Sequence, residues 1–215
     1  MCRNRMAAVK LIVYSDYLCP WCYNASVRLG MLQQELGPQL EVAWRSYLLR
    51  PEPKPRDPEK FRAYTKSWRR PASEEDSGEF HPWESNAMPP SHSLPAHRIA
   101  KAAARVSQDS FHRMHDALLV AYFGQSRDIS NDAVLEEIWR EQALPENELA
   151  DWKSPEFLEE TLADYAEAQN LGITGAPAAR LEGNEAFLTG ALPLPMYRRW
   201  IERQLRSSRD ETSEN

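Results

Sequence analysis

Apolar residues set the rhythm of this chain. Leu11-Ile12-Val13-Tyr14 is a continuous apolar run with β-branched residues at its centre, as expected of a strand buried on both faces. From Cys22 the pattern changes. Cys22, Ala25, Leu29, Leu32 and Leu36 recur at steps of three and four, which places them on one stripe of one helix. That helix is predicted to stop at Gly37-Pro38, a residue tolerant of left-handed backbone followed by one that cannot continue a helix. Leu40 to Tyr47 then alternates, Val42, Trp44 and Ser46 against Ala43, Arg45 and Tyr47, and predicts a second strand. Strand, helix and strand within about forty residues form a βαβ unit, with a right-handed crossover expected.

From Arg50 the texture shifts. Pro51, Pro53, Pro55 and Pro58 punctuate a polar linker, and Asp57-Pro58-Glu59 opens a helix with Asp as N-cap and Pro at the first helical position. Residues 70–93 read as a loop rich in Pro, Ser and Glu, of a length that in a compact domain is functional or disordered. From Leu94 to Gln169 nearly everything is helical. Ala96 to Val106 is followed by a run through Phe111, Met114, Leu118, Leu119 and Tyr122, then by a segment capped by Ser130 with Val134, Leu135, Ile138 and Trp139. Ser154-Pro155-Glu156 starts another helix, with the stripe Leu158, Leu162, Tyr165 and Ala166. No period repeats across this block, which predicts a helical bundle inserted into another fold.

Strand signals return at Ala178 to Leu181, with a turn at Glu182-Gly183-Asn184 and a partner strand at Ala186 to Thr189. Pro193 and Pro195 open a final amphipathic helix carrying Tyr197, Trp200, Ile201 and Leu205. The predicted divisions are an N-terminal βαβ part over 8–50, a helical insertion over 51–155, a C-terminal part over 156–206 and a disordered tail over 207–215.

The chemistry sits at Cys19-Pro20-Trp21-Cys22, where the first strand gives way to the first helix. Cys22 belongs to the inward stripe. Cys19 lies at the helix start, where unpaired backbone N–H groups and the positive end of the macrodipole favour a thiolate. An exposed nucleophilic sulfur with a second thiol held beneath it is what dithiol exchange requires. Asp16, three residues earlier, reads either as a proton relay to Cys22 or as a turn aspartate satisfied by nearby backbone N–H groups. Trp21 is expected to be partly exposed, as a flat contact beside a substrate or as core packing.

Charge and cysteine count remove other classes. A formal net charge of −6 with no basic stripe argues against a nucleic-acid partner. The first apolar run is too short for a signal segment or a membrane span, and the cytosol is the expected compartment. Three cysteines provide no structural disulfide framework, and Cys2, near the terminus, is expected to have no role. Zinc normally takes four ligands, and the five histidines lie in the insert without finger-like spacing, so no metal is expected. His112 and His115 could share a helix face and read as surface or interface residues. His97 reads as a helix-packing contact.

With a dithiol at the first strand-to-helix turn, the pattern indicates a thioredoxin fold, α/β, carrying an all-helical insertion. The chain resembles the DsbA-like group of thioredoxin-fold proteins, and most closely its cytosolic FrnE-type branch. Ser15 to Tyr23, Ser91 to Arg98 with Ala96-His97-Arg98, Ala121-Tyr122-Phe123, Gly172-Ile173-Thr174-Gly175-Ala176-Pro177 and Gly190-Ala191-Leu192-Pro193 carry the resemblance. It implies that Pro177 is cis and packs beside the cysteine pair, and that the backbone of Ala176 pairs with an extended substrate segment. Pro20 and Trp21, between the two cysteines, are expected to share in positioning the substrate. Ala178-Ala179-Arg180 departs from the β-branched or aromatic strand usual after that proline. The Pro20-Trp21 pair lacks the histidine of strongly oxidising relatives, which implies a potential nearer about −200 to −230 mV than about −120 mV.

The expected function is a thiol–disulfide oxidoreductase acting on protein or small-molecule disulfides and dithiols. Cys19 would be the nucleophile and Cys22 the resolving thiol, with no cofactor and with glutathione or another dithiol system as redox co-substrate. Two other readings stand beside it. One is a glutathione-dependent isomerase or transferase of the same fold, whose members usually carry serine in place of Cys19; the other is a chaperone-like binding module with the dithiol as redox sensor.

Overall fold

The computed structural model describes residues 8–213, so Cys2 lies outside the described residues. The chain runs β1 (Val9–Ser15), α1 (Pro20–Leu36), β2 (Leu40–Ser46), α2 (Pro58–Thr65), α3 (Arg69–Ala72), α4 (Leu94–Val106) and α5 (Gln108–Leu119). It continues through a π-helical turn (Val120–Gly124) to α6 (Asp132–Glu141), α7 (Glu146–Leu149), α8 (Pro155–Asn170), β3 (Ala178–Leu181), β4 (Phe187–Thr189) and α9 (Leu194–Ser213).

The strands form one sheet in the order β2-β1-β3-β4. β2 runs parallel to β1, which obliges α1 to serve as the crossover, while β3 and β4 are antiparallel to their neighbours. Alternation along β1 divides the core. Val9, Leu11 and Val13 pack with Leu29 and Leu32 of α1 and with Tyr197, Ile201 and Leu205 of α9. Ile12 and Tyr14 face the opposite layer, with Ala168 and Ile173. The insertion between β2 and α8 has a core of its own, a hydrophobic cluster that includes the rings of Phe61, Trp68, Trp83, Tyr122 and Phe123 and reaches Tyr17, Leu18 and Tyr23 around the dithiol.

Several local expectations are corrected. The N-cap of α6 is Asn131, whose side chain accepts from Ala133 N at 2.9 Å, while Ser130 bonds Asp128 instead. The buried face of α8 is Phe157, Thr161, Asp164 and Ala168, and Leu162 is exposed. Asp164 turns inward because its carboxylate accepts from Ser46 N (3.0 Å) and pairs with Lys101 (2.7 Å) and Arg45 (3.0 Å). Helix α9 continues to Ser213, past the end of the apolar stripe at Leu205, because no Gly or Pro interrupts 206–213. The unstructured tail predicted from 207 is therefore helical as far as Ser213.

Residues 73–93 form an irregular strap that is tied down at several points. Asn24 of α1 donates to Pro71 O (2.9 Å) and accepts from Gly78 N (3.1 Å). Arg28 donates to Glu75 O (2.7 Å), and His81 N donates to Phe123 O (2.8 Å). Trp83 plugs the far end into the insert cluster. At Gly78 a Cβ would collide with the ring of Tyr23, so only glycine lets the strap lie this close to α1.

Candidate functional site

Cys19 is the N-cap of α1, and Pro20 is its first helical residue, where the missing N–H costs no hydrogen bond. The turn is closed by Cys19 N donating to Asp16 O (3.1 Å) and by Cys22 N and Tyr23 N donating to Cys19 O (3.0 and 3.3 Å). Cys22 follows one turn in and is fully buried. Its sulfur accepts from Asp16 N at 3.4 Å. Burial pushes the Cys22 thiol well above its ordinary range, and the adjacent Cys19 sulfur adds to the effect.

Cys19 departs from its expected exposure, being only 5% exposed. The cause lies 157 residues away in sequence: its thiol donates to Ala176 O at 3.3 Å, under the loop that precedes β3. The Ala176–Pro177 bond is cis, as the resemblance implied, and Gly190 N holds Pro177 O at 2.8 Å. Pro177 is buried and Ala176 half-buried. Pro20 and Trp21 are half-buried beside Cys19, with the Arg70 guanidinium 5.8 Å from the Trp21 ring centroid. The structure thus brings Cys19, Cys22, Pro20, Trp21, Ala176 and Pro177 to one place.

Asp16 sits behind the pair, fully buried. Its carboxylate accepts from Leu18 N (2.6 Å), Leu49 N (2.8 Å) and Ser93 Oγ (2.6 Å), joining the active turn to the end of β2 and the start of α4. Its hydrogen bond to Cys22 runs through its backbone N–H. Arg180, the charged residue that breaks the usual strand pattern, bonds Tyr14 Oη (3.2 Å) and Glu167 (2.7 Å), while Ala178 and Ala179 are buried between the layers.

Three buried polar residues escaped the sequence reading. His115 is not at the surface: its Nδ1 lies 3.0 Å from Tyr17 Oη and its Nε2 2.9 Å from Ser26 Oγ, and burial lowers its pKa to about 3. Arg28 is also buried and donates to Ala191 O, Leu192 O and Glu75 O. The only sequence signal for it was a position inside the apolar stripe, just before Leu29. Ser15, the last residue of β1, lies where its hydroxyl favours the ionised form of Cys22.

A thioredoxin fold with a helical insertion, a dithiol at the tip of α1 and a cis-proline loop over its first sulfur defines a dithiol-bearing member of that superfamily. The model of the DSBA-like thioredoxin domain family matches residues 10–202, and the chain belongs to that family of thiol-disulfide oxidoreductases. No curated protein matches the chain by sequence. Among solved structures, the chain is similar to a provisionally named protein disulfide isomerase of Nitrosomonas europaea: TM-score 0.79, 21% identity, covering 93% of this chain and 98% of that one. The cytosolic disulfide reductase DsbM of Pseudomonas aeruginosa is similar at TM-score 0.70 and 19% identity, covering 96% and 100%; that protein has also been solved with glutathione. The exchange protein α-DsbA2 of Wolbachia pipientis is similar at TM-score 0.61 and 16% identity, covering 93% and 83%.

Proposed function

We propose that this protein is a cytosolic thiol–disulfide exchanger of the FrnE-type branch, working through Cys19 and Cys22. Cys19 attacks a disulfide, whose S–S bond breaks; one sulfur joins Cys19 in a mixed disulfide and the other is released as a thiol. Cys22 then attacks Cys19 Sγ, so that the Cys19–Cys22 bond forms, the mixed disulfide breaks and the substrate leaves as a thiol. Ala176 and Pro177 orient the partner's backbone beside Cys19, and Trp21 offers a flat contact at the rim.

The observation that carries this reading is the stacking of parts around one sulfur: Cys19 3.3 Å from Ala176 O on one side, with Cys22 one helical turn behind it on the other. No metal or organic cofactor takes part in the exchange. Glutathione as redox co-substrate is supported by the fold-level neighbour solved with it, and the cytosolic assignment by the cytosolic neighbour of the same fold.

The test is the Cys22→Ser variant incubated with oxidised glutathione and with a disulfide-bonded protein. It is expected to accumulate Cys19 mixed disulfides that persist, visible as mass adducts, while the native protein releases them. In the reduced native protein, a small alkylating probe is expected to modify Cys19 about tenfold faster than Cys22 at neutral pH, because Cys22 is buried and its thiol is harder to ionise. Equal labelling of the two, or no adduct on Cys22→Ser, would sink the assignment.

A further inference from the structure

The exchange reading leaves one proton without a path. Cys22 must lose its proton to attack, yet it is fully buried and its thiol resists ionisation. Most of its polar surroundings cannot take that proton. The Asp16 group that touches it is a backbone N–H, and the Asp16 carboxylate already accepts three hydrogen bonds. Tyr197 keeps its own proton, its pKa pushed up to about 12 by burial, and the Arg28 guanidinium offers donors and no acceptor.

Behind the active turn lies a cavity of about 30 Å³, lined among others by Ser15, Tyr17, His97, Lys101 and His115. That volume suits one or two water molecules among polar partners. His97 is only 4% exposed, and its Nε2 is buried with no hydrogen-bond partner among the described residues, 3.8 Å from Asp16 Oδ2 and so beyond hydrogen-bond reach. Both nitrogens of His115, by contrast, are engaged. The cavity therefore has one wall at Ser15, the chain neighbour of the Asp16 N–H that bonds Cys22 Sγ, and another at His97, whose Nε2 bonds nothing among the described residues.

We propose that Ser15 and His97 form the proton route of the resolving thiol, an inference that rests on the exchange reading above. The Cys22 proton passes to the Ser15 hydroxyl while that hydroxyl gives its own to water in the cavity, and the water protonates His97 Nε2. The Cys22 thiolate then forms the bond to Cys19 Sγ, and the substrate sulfur leaves with the electron pair of the broken bond. Run in reverse, His97 returns the proton to Cys22. The groups facing His97 are Asp16 and Tyr17 from the turn, Lys101 on its own helix, His115 from α5 and Arg45 from β2. The Asp16 carboxylate lies 3.8 Å from the nitrogen that takes the proton.

The test uses reduced full-length protein and the aromatic disulfide dithiobis(nitrobenzoate), followed by stopped flow from about pH 5 to about pH 9. Attack by Cys19 releases one coloured thiolate, and attack by Cys22 releases the second. That leaving group departs as an anion, so the proton demand of the second phase belongs to Cys22. His97→Gln is expected to slow the second phase relative to the first by about tenfold or more near pH 6, with the deficit closing as hydroxide takes over at high pH. Ser15→Ala, which leaves α4 untouched, is expected to show the same pH-dependent deficit and carries the test alone if His97→Gln does not fold. A second phase equal to the native one overturns the route, and so does one slowed equally at every pH, the mark of a packing role. Failure of the exchange reading looks different: the native protein itself then shows no second phase.

Discussion

The sheet core and the insert core of this protein are built from different materials. Around the sheet the buried side chains are mostly aliphatic, Val9, Leu11, Val13, Leu29, Leu32 and Ile201, supplied by regular elements. In the insert aromatic rings supply 11 of the 26 buried residues against one of 13 around the sheet, and part of the cluster comes from irregular chain, Trp83 from the strap and Trp68 from a single 3₁₀ turn. The dithiol lies on the seam. Val13 ends in the sheet core, whereas Tyr17, Leu18 and Tyr23 belong to the insert cluster. The difference teaches that the sheet presents the sulfurs, while the insert fixes the turn that carries them.

That division is open to breaking by cavity variants on either side. Trp68 is nearly fully buried, with ring contacts to Tyr122 at 5.4 Å and Phe123 at 4.9 Å. Trp68→Ala is expected to cost about 4 kcal/mol by urea denaturation, and Ile201→Ala in the sheet core about 3 kcal/mol. Under native conditions the two should differ at the site: Trp68→Ala loosens the packing around Tyr17 and Tyr23 and speeds alkylation of Cys19, whereas Ile201→Ala leaves it unchanged. Equal acceleration in both variants would mean that the two cores do not act as separate supports.

The seam itself is the next target. The Asp16 carboxylate ties three segments together with three short hydrogen bonds. Asp16→Asn removes the charge and points an amide donor at groups that are themselves donors, so a loss of about 2 kcal/mol is expected. Ser93→Ala, which deletes one of the three bonds, should cost about 1 kcal/mol in the same measurement. If both variants unfold at the native urea midpoint, the seam is held by packing alone.

Apolar spacing made one of these regions far more readable than the other. β1, α1, β2 and the hairpin follow from periods of two and of three to four, and Cys19, Cys22 and Pro177 from short motifs at element ends. Spacing is silent about polar residues that turn inward for a distant partner. Asp164 faces the sheet because Ser46 lies across from it, 118 residues earlier, and His115 is buried by Ser26, 89 residues earlier. Cys19 loses its exposure to a carbonyl 157 residues away. The Leu158-Leu162 stripe failed for the same reason, since the true inner face of α8 carries Thr161 and Asp164. The strap over α1 has no period to detect, and Gly78 gains its meaning only against the Tyr23 ring.

His115 offers the finest probe of the seam, because it touches both regions: Tyr17 of the turn, Ser26 of α1, and the ring of Trp44 of β2 at 4.6 Å. The neutral ring satisfies both hydroxyls with one nitrogen accepting and the other donating, and burial lowers its pKa from 6.5 to about 3. Between those two values the unfolded chain binds a proton that the folded protein refuses. Stability should therefore be level with respect to this group above about pH 6.5 and fall as pH drops towards about 3, by about 1.4 kcal/mol per pH unit. His115→Gln has no proton to bind in either state. Carboxylates contribute acid sensitivity to both proteins alike, so the difference between the native and variant urea midpoints isolates the imidazole. The native midpoint is expected to fall more steeply than that of His115→Gln across this window, and the two curves to run parallel above it. Parallel curves throughout would show that the buried imidazole accepts its proton without loss of the fold, and that the two cores are not joined through it.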